Sequence, residues 1–167
     1  MSHTTPDIRL RRTEPGDLAG LFVIQSDPEA NAMAGTKPRS RAEFFARWDD
    51  IFKDSRINGL VIELRDEASD GHMLVGSIAC FQAADEGGRD CVGYWIARRY
   101  WGRGIASRAL ELFLHEECRR PLYATAASSN AASRHILEKN GFRLTGLRVC
   151  EETERYIGRE VAEFVLE

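Results

Sequence analysis

The stretch VGYWIARRYWGRGIASRALELFL, Val92 to Leu114, decides the fold. VGYWIA has the make-up of a strand. From Ile105 onward apolar residues recur at helical spacing, with Ile105, Ala109 and Phe113 on one row and Ala106, Leu110 and Leu114 on the next. Between the two runs, arginines, aromatics and glycines interrupt both patterns. Gly102 and Gly104 lack the Cβ atoms that hold a ligand off the backbone, and they reach angles closed to other residues. Several amide N–H groups can then point at one place, joined by the unpaired amides and positive dipole end of the helix that starts near Gly104. Such a turn is an anion site, and a diphosphate is its natural occupant. Arg98, Arg99, Arg103 and Arg108 are close enough in sequence to add charge-assisted contacts.

The surroundings say that any such site is local. The chain has 167 residues, 43% of them hydrophobic, enough for one core, and no linker, repeat or low-complexity tract divides it, so residues 1–167 read as a single domain. A formal charge of −3 gives no global attraction to nucleic acid or anionic lipid. Cys80, Cys91, Cys118 and Cys150 form no C-x-x-C pair, which points to buried free thiols and away from a zinc site or a disulfide framework. MSHTTPDIRLRR has no apolar run of signal-peptide length, and no segment is long and apolar enough to span a bilayer. A cytoplasmic protein without a metal is expected.

Outward from the quoted stretch, the pattern is mixed. IRLRR reads as a strand, EPGDLAGLFVIQ as a helix, and SDPEANAMAGTKPRS as a loop ending in a capping box of Ser40 and Glu43. The next helix carries Phe44, Phe45, Trp48, Ile51 and Phe52 on one face, as core or as the wall of a pocket. GLVIELRD and HMLVGSIACFQ pair across EASDGH, and EGGRD turns into CVGYWIA, giving an antiparallel meander. After the helix from Ile105, LYATAA is a strand, and Asn130 is placed to cap a helix through AASRHILEKN that Gly141 ends. RLTGLRVCE and REVAEFVLE complete the sheet.

Two nucleotide-binding folds also put phosphates at a glycine-rich helix start. No G-x-x-x-x-G-K-S or G-x-x-x-x-G-K-T exists in the chain, which removes the P-loop. The dinucleotide fingerprint is half met, because Ser107 stands where the third glycine belongs and PLYATA occupies the place of the acidic residue. An oxidoreductase reading would need NAD binding to revive it.

On these residues the sequence resembles the GNAT superfamily of acyl-CoA-dependent N-acetyltransferases. RYWGRG, Arg99 to Gly104, matches the family's signature of Gln or Arg, two residues, Gly, one residue, and Gly or Ala. GYWIARRYWGRGIASRAL around it and SNAASRHILEKNGF after the next strand are similar to the RimJ/RimL-like branch, which acetylates ribosomal-protein N-termini. The resemblance is specific from about Leu74 to Phe142. It implies an α+β fold, a mixed and mostly antiparallel sheet of about six to seven strands with helices on both faces. It also implies a splay between the strands near 91–97 and 121–127, with pantetheine in the gap along Ile96 and Ala97. The pyrophosphate would then sit on amides from Arg99 to Gly104, with Arg98 and Arg103 beside it and Ile105, Ala106 and Ser107 flanking it. Asn130 matches the family asparagine that bonds the pantetheine arm; a helix cap is its other role, and both stay open.

The implied reaction moves an acetyl group from acetyl-CoA to an amine, either a small molecule or a protein N-terminus. A primary amine is mostly ammonium at neutral pH, and about three units of mismatch represent roughly 4 kcal/mol against the nucleophilic form. Something takes that proton, and the neutral amine attacks the thioester directly, with a backbone N–H of the GYWIA strand stabilising the oxyanion. Many family members offer a glutamate close to where this chain has Cys91. Asp90 is the nearest carboxylate and the candidate base; a solvated turn residue is its alternative identity. The tyrosine that most members use as acid corresponds to Leu137 here, and the serine proposed for the RimJ/RimL-like branch corresponds to Ser133, the candidate acid. Tyr94 and Trp95 alternate to opposite faces, so at most one faces the acceptor groove. EANAMAGTKPRS, the first two helices and the last strands should hold the acceptor, and acidic ADEGGRD and EETE could attract a cationic one. No nucleic-acid or membrane partner is expected, and a homodimer is left open. The alternative to an enzyme is an acyl-CoA-binding sensor or interaction module without catalysis.

Overall fold

Strands Ile8–Arg12 (β1), Asn58–Asp66 (β2), Gly71–Ala83 (β3), Arg89–Ile96 (β4), Leu122–Ala127 (β5), Arg143–Cys150 (β6) and Arg159–Leu166 (β7) build one sheet in the order β1-β2-β3-β4-β5-β7-β6. A computed structural model describes residues 4–84 and 87–167. Neighbouring strands are antiparallel throughout, except that β4 and β5 run parallel and share the single register pair Cys91 with Tyr123. From Val92 to Ile96 the β5-facing edge of β4 therefore has no strand partner among the described residues.

Local chemistry sets this order. Asp70 at φ 54 makes the tight corner between β2 and β3, and Gly87 and Gly88 at φ 76 and 74 lead into β4. Asp85 and Glu86, from the same predicted turn, lie outside the described residues. Gly76 is required by contact: opposite Ile96, a Cβ there would stand 2.1 Å from the Trp95 carbonyl oxygen and would push β3 off β4.

Helices cover both faces. Leu18–Gln25 (α1) and Arg41–Lys53 (α3) pack Leu18, Leu21, Phe44 and Trp48 around Val61 of β2. Ile105–Glu116 (α4) and Ala131–Lys139 (α5) cover the other face, where Ile105, Ala109, Leu110, Phe113 and Leu137 meet Ile62, Ile78, Val92 and Ile96. Strand alternation sends Val61 to one layer and its neighbours Leu60 and Ile62 to the other. The seven strands, the two helical layers and the β4/β5 split match the sequence expectation.

One element departs from it. SDPEANAMAGTKPRS contains a helix, Pro28–Ala34 (α2), where a loop is predicted. Its signals are local: the Asp27 carboxylate caps Ala30 N–H at 2.9 Å, Pro28 opens the first turn, and Gly35 closes it at φ 71. Seven residues with only Ala30 and Asn31 buried carry no apolar stripe for periodicity to detect. Cys118 also departs from the buried reading of the thiols, for it is exposed after α4, while Cys80 and Cys91 are buried and Cys150 is half-buried.

Candidate active site

The turn after β4 puts its glycines in the left-handed region, Gly102 at φ 76 and Gly104 at φ 77. A Cβ on Gly102 would meet nothing within 4 Å, and one on Gly104 would meet only Pro6 at 3.9 Å. Within the protein itself, then, the demand for glycine is angular, and no neighbouring protein atom crowds either position. Gly104 is the N-cap of α4 and offers no capping side chain. The Arg108 N–H is the first of the helix to return to a carbonyl, Gly104's at 3.0 Å, which leaves Ile105, Ala106 and Ser107 with unpaired amides at the positive helix end.

The arginines beside this turn divide into two pairs. Arg98 bonds Glu29 at 2.7 Å and Asp27 at 3.3 Å, and Arg108 bonds Glu111 at 2.8 Å. Arg99 and Arg103 instead stand over the Tyr100 ring, at 4.9 and 5.3 Å from its centroid, with no carboxylate partner among the described residues. Those two guanidinium groups remain free to meet an anion. The Ile96 carbonyl accepts from the Trp101 indole at 2.8 Å, and the Ala97 N–H donates to Val75 at 2.8 Å.

A cavity of about 790 Å³ runs from the turn through the β4/β5 split to the face covered by α2 and α3. Ile96, Gly102, Gly104, Ile105, Ala106, Ser107, Asn130 and Ser133 line it, whereas Ala97, Arg98, Arg99, Arg103 and Asp90 do not. Asn130 caps α5 through its carbonyl oxygen, which accepts from the Ser133 N–H at 3.2 Å. Its NH₂ has no partner among the described residues, so capping leaves a donor for a ligand, and the two roles weighed from sequence are compatible. The Ser133 hydroxyl lies 2.8 Å from the Tyr94 hydroxyl across the split. Burial pushes the Tyr94 phenol up to about 12, partly offset by that hydrogen bond. Trp95 points to the opposite face and donates to the Ile24 carbonyl at 3.1 Å, as alternation requires.

Asp90 is separated from this group. It lies at the start of β4, on the closed side of the Cys91–Tyr123 pair, where Gln82 Nε2 donates to it at 2.7 Å and Arg119 at 3.4 Å. His135 lines the cavity, half a turn from Ser133 on α5.

The far end of the cavity is cationic. Arg39, Arg47, Arg155 and Arg159 line it, and no Asp or Glu does among the described residues. Burial, then the neighbouring charge of Arg39, brings the Arg155 guanidinium down to about 10; burial and Arg47 lower Arg39. In EETE, Glu152 pairs outward with Lys37 at 2.6 Å, and none of its acids reaches the cavity.

A family model described as an acetyltransferase (GNAT) domain matches residues 7–143. The chain belongs to the GNAT acetyltransferase family. Its fold is similar to that of the spermidine N-acetyltransferase from Vibrio cholerae, solved with CoA and spermine, at a TM-score of 0.77, 20% identity and coverage of 95% of this chain and 94% of that one. RimL, a ribosomal alpha-N-protein acetyltransferase solved with coenzyme A, aligns at a TM-score of 0.71 and 16% identity over 99% and 96% of the two chains. RimJ from Mycobacterium smegmatis, solved with a CoA disulfide, aligns at 0.67 and 21% over 95% and 81%. None of the curated proteins compared matches the chain.

Two features of this GNAT domain escaped sequence reasoning. Strand alternation gives Tyr94 a face but no partner, since nothing local ties it to a serine 39 residues away. The arginine end is assembled from the loop before α3 (Arg39), α3 itself (Arg47), the β6–β7 connection (Arg155) and the first residue of β7 (Arg159), and the sequence reading assigns no role to any of these arginines. Among the described residues no helix is long and apolar enough to cross a membrane.

Proposed function

We propose that this domain, residues 1–167, transfers an acetyl group from acetyl-CoA to an amine. The observation that carries the reading is the unpaired leading end of α4, held open by left-handed Gly102 and Gly104, at the mouth of a cavity that passes the β4/β5 split to Ser133. These residues fit the cosubstrate: amides and the free guanidinium groups of Arg99 and Arg103 for the diphosphate, and the unpaired β4 edge with the Asn130 NH₂ for an amide-rich arm. Bound there, acetyl-CoA supplies the acyl group as a thioester.

The chain's own part is positioning and hydrogen bonding. Either hydroxyl can donate in this pair; with Tyr94 as donor, the Ser133 hydroxyl is held in one orientation and keeps its own hydrogen for the leaving sulfur. Thiols are weakly basic, and a hydrogen bond from Ser133 suffices to ease departure. Asp90, outside the cavity lining, would act on the acceptor only through intervening water. The polyamine and the protein N-terminus named for the relatives are starting candidates for the acceptor.

An acyl-CoA-binding module without catalysis is the second reading, favoured by the lack of a lining carboxylate among the described residues. An acceptor panel with acetyl-CoA, read by thiol release and by mass spectrometry of products, separates the two. Acetylated amine with one equivalent of released thiol is the expected result. Cosubstrate binding without thiol release, across amines, peptides and amino acids, would leave the module.

A further inference from the structure

Arg9, Arg11, Arg56, Arg98, Arg108 and Arg119 each hold a carboxylate partner. The four arginines that line the cavity beside α2 and α3 hold none among the described residues. Arg39 and Arg47 have neither ion pair nor hydrogen bond among the described residues, and Arg155 gives one N–H to the Lys37 carbonyl. Arg159 is packed against Gly35 and stacked 4.0 Å over Tyr156, with its Nε buried and unbonded. The arrangement is built, not incidental to a floppy surface: Lys37 N–H bonds Arg155 O at 2.7 Å, Ile157 N–H bonds Gly35 O at 3.0 Å, and Thr36 bridges Tyr156.

Partly buried cations held together without counter-charge are unfavourable, and a buried donor without a partner costs free energy. An anion in the cavity offsets the repulsion between these cations, because the guanidinium fork matches two oxygens of a carboxylate or phosphate with two parallel hydrogen bonds. Phe44, Trp48 and Phe81 supply an apolar wall next to the charge.

We propose that the acceptor is an amine that also carries an anionic group, carboxylate or phosphate, held by Arg39, Arg155 and Arg159. The proposal rests on the transferase reading for the fate of the amine, but anion binding is measurable without turnover. The same cations bear on the missing carboxylate base: like charge nearby disfavours an ammonium, which raises the fraction of neutral nucleophile. A polyamine, with several positive charges and no negative one, meets repulsion here.

The test is calorimetry on protein saturated with CoA, so that the diphosphate site is filled, with matched probes. Phenylalanine against phenylalaninamide isolates a carboxylate, phosphoethanolamine against ethanolamine isolates a phosphate, and spermidine is the cationic control. At least one member with an anionic group should bind about tenfold or more tightly than its match without one, as charge-assisted pairs do. Arg39→Gln and Arg155→Gln should erase that preference, with Arg155→Lys restoring part of it. Arg39 has no hydrogen bond or ion pair among the described residues for its loss to break, so its variant answers even if Arg155→Gln loosens the loop. Equal or tighter binding of the amines that lack an anionic group, or of spermidine, a preference unchanged in both variants, or no binding of either anionic amine at millimolar concentration overturns the proposal. Anion preference without acetyl transfer to any amine sinks the transferase reading alone. Transfer to spermidine without anion preference sinks this inference alone.

Discussion

Tyr94 on β4 and Ser133 on α5 meet hydroxyl to hydroxyl at 2.8 Å, closing a bridge over the gap between two strands that otherwise part. Neither residue reaches the other's neighbourhood by local sequence, so the contact depends on the split itself. If the phenol orients the serine, Tyr94→Phe and Ser133→Ala should each lower kcat by about tenfold or more, less than the roughly hundredfold or more of a typical general acid because a thiolate leaves readily. KM for acetyl-CoA should stay within about twofold, and the double variant should lose no more than the worse single one. Steady-state thiol release reads this, and fully additive losses would show that the two hydroxyls act apart.

The buried phenol also makes alkaline stability measurable. Unfolded, Tyr94 ionises near its ordinary value of 10; folded, it stays neutral up to about 12. Its contribution is complete below pH 10 and is lost as pH rises through 12, by roughly 2–3 kcal/mol for two units. Urea unfolding at pH 9 and pH 12 should show a fall that shrinks by about that amount in Tyr94→Phe, while the share of the Cys80 thiol, pushed up to about 11 by burial, remains. An identical fall in both proteins would remove Tyr94 from the account.

Gly104 at φ 77 predicts a double effect of one methyl group. Gly104→Ala should cost about 1–2 kcal/mol of stability, the strain of a side chain in the left-handed region. It should also raise the Kd for CoA about tenfold or more, because relaxing that angle turns the leading amides of α4 away from their common focus. Calorimetric titration with CoA checks the second part. Unchanged affinity would place the diphosphate elsewhere.

Asn130 allows its two roles to be taken apart. Asn130→Ala removes both the cap and the NH₂, and should cost about 1 kcal/mol in stability as well as affinity for CoA. Asn130→Asp keeps an oxygen that caps equally well but removes the donor, so thermal stability should hold while CoA binding weakens. Retained binding in the aspartate variant would reduce Asn130 to a cap.

What could be read from sequence follows the range of the interaction. The Ser40–Glu43 box, the Asn130 cap and the left-handed Gly104 and Gly141 are decided within four residues, and each stands as its local chemistry dictates. The strand alternation of Val61, Tyr94 and Trp95 is equally short-ranged. Helix α2 was missed because it leans on caps and on Asn31, whose amide bonds Gln25 and Asp27 carbonyls, and has no apolar face. The arginine end of the cavity was missed for a different reason. Lys37 and Arg155 meet across 118 positions, and only the assembled sheet brings them into register.

The lone Cys91–Tyr123 rung leaves β1 to β4 and β5 to β7 as two half-sheets joined at one place. An arm bonded along the open edge of β4 would serve as the missing rungs, so the molecule is mechanically finished only when loaded. Its resistance to unfolding should then track the supply of its own acyl donor, gaining about 2.7 kcal/mol at a hundredfold excess over Kd. Starved of that donor, the cell would hold a looser and more perishable form of the same chain.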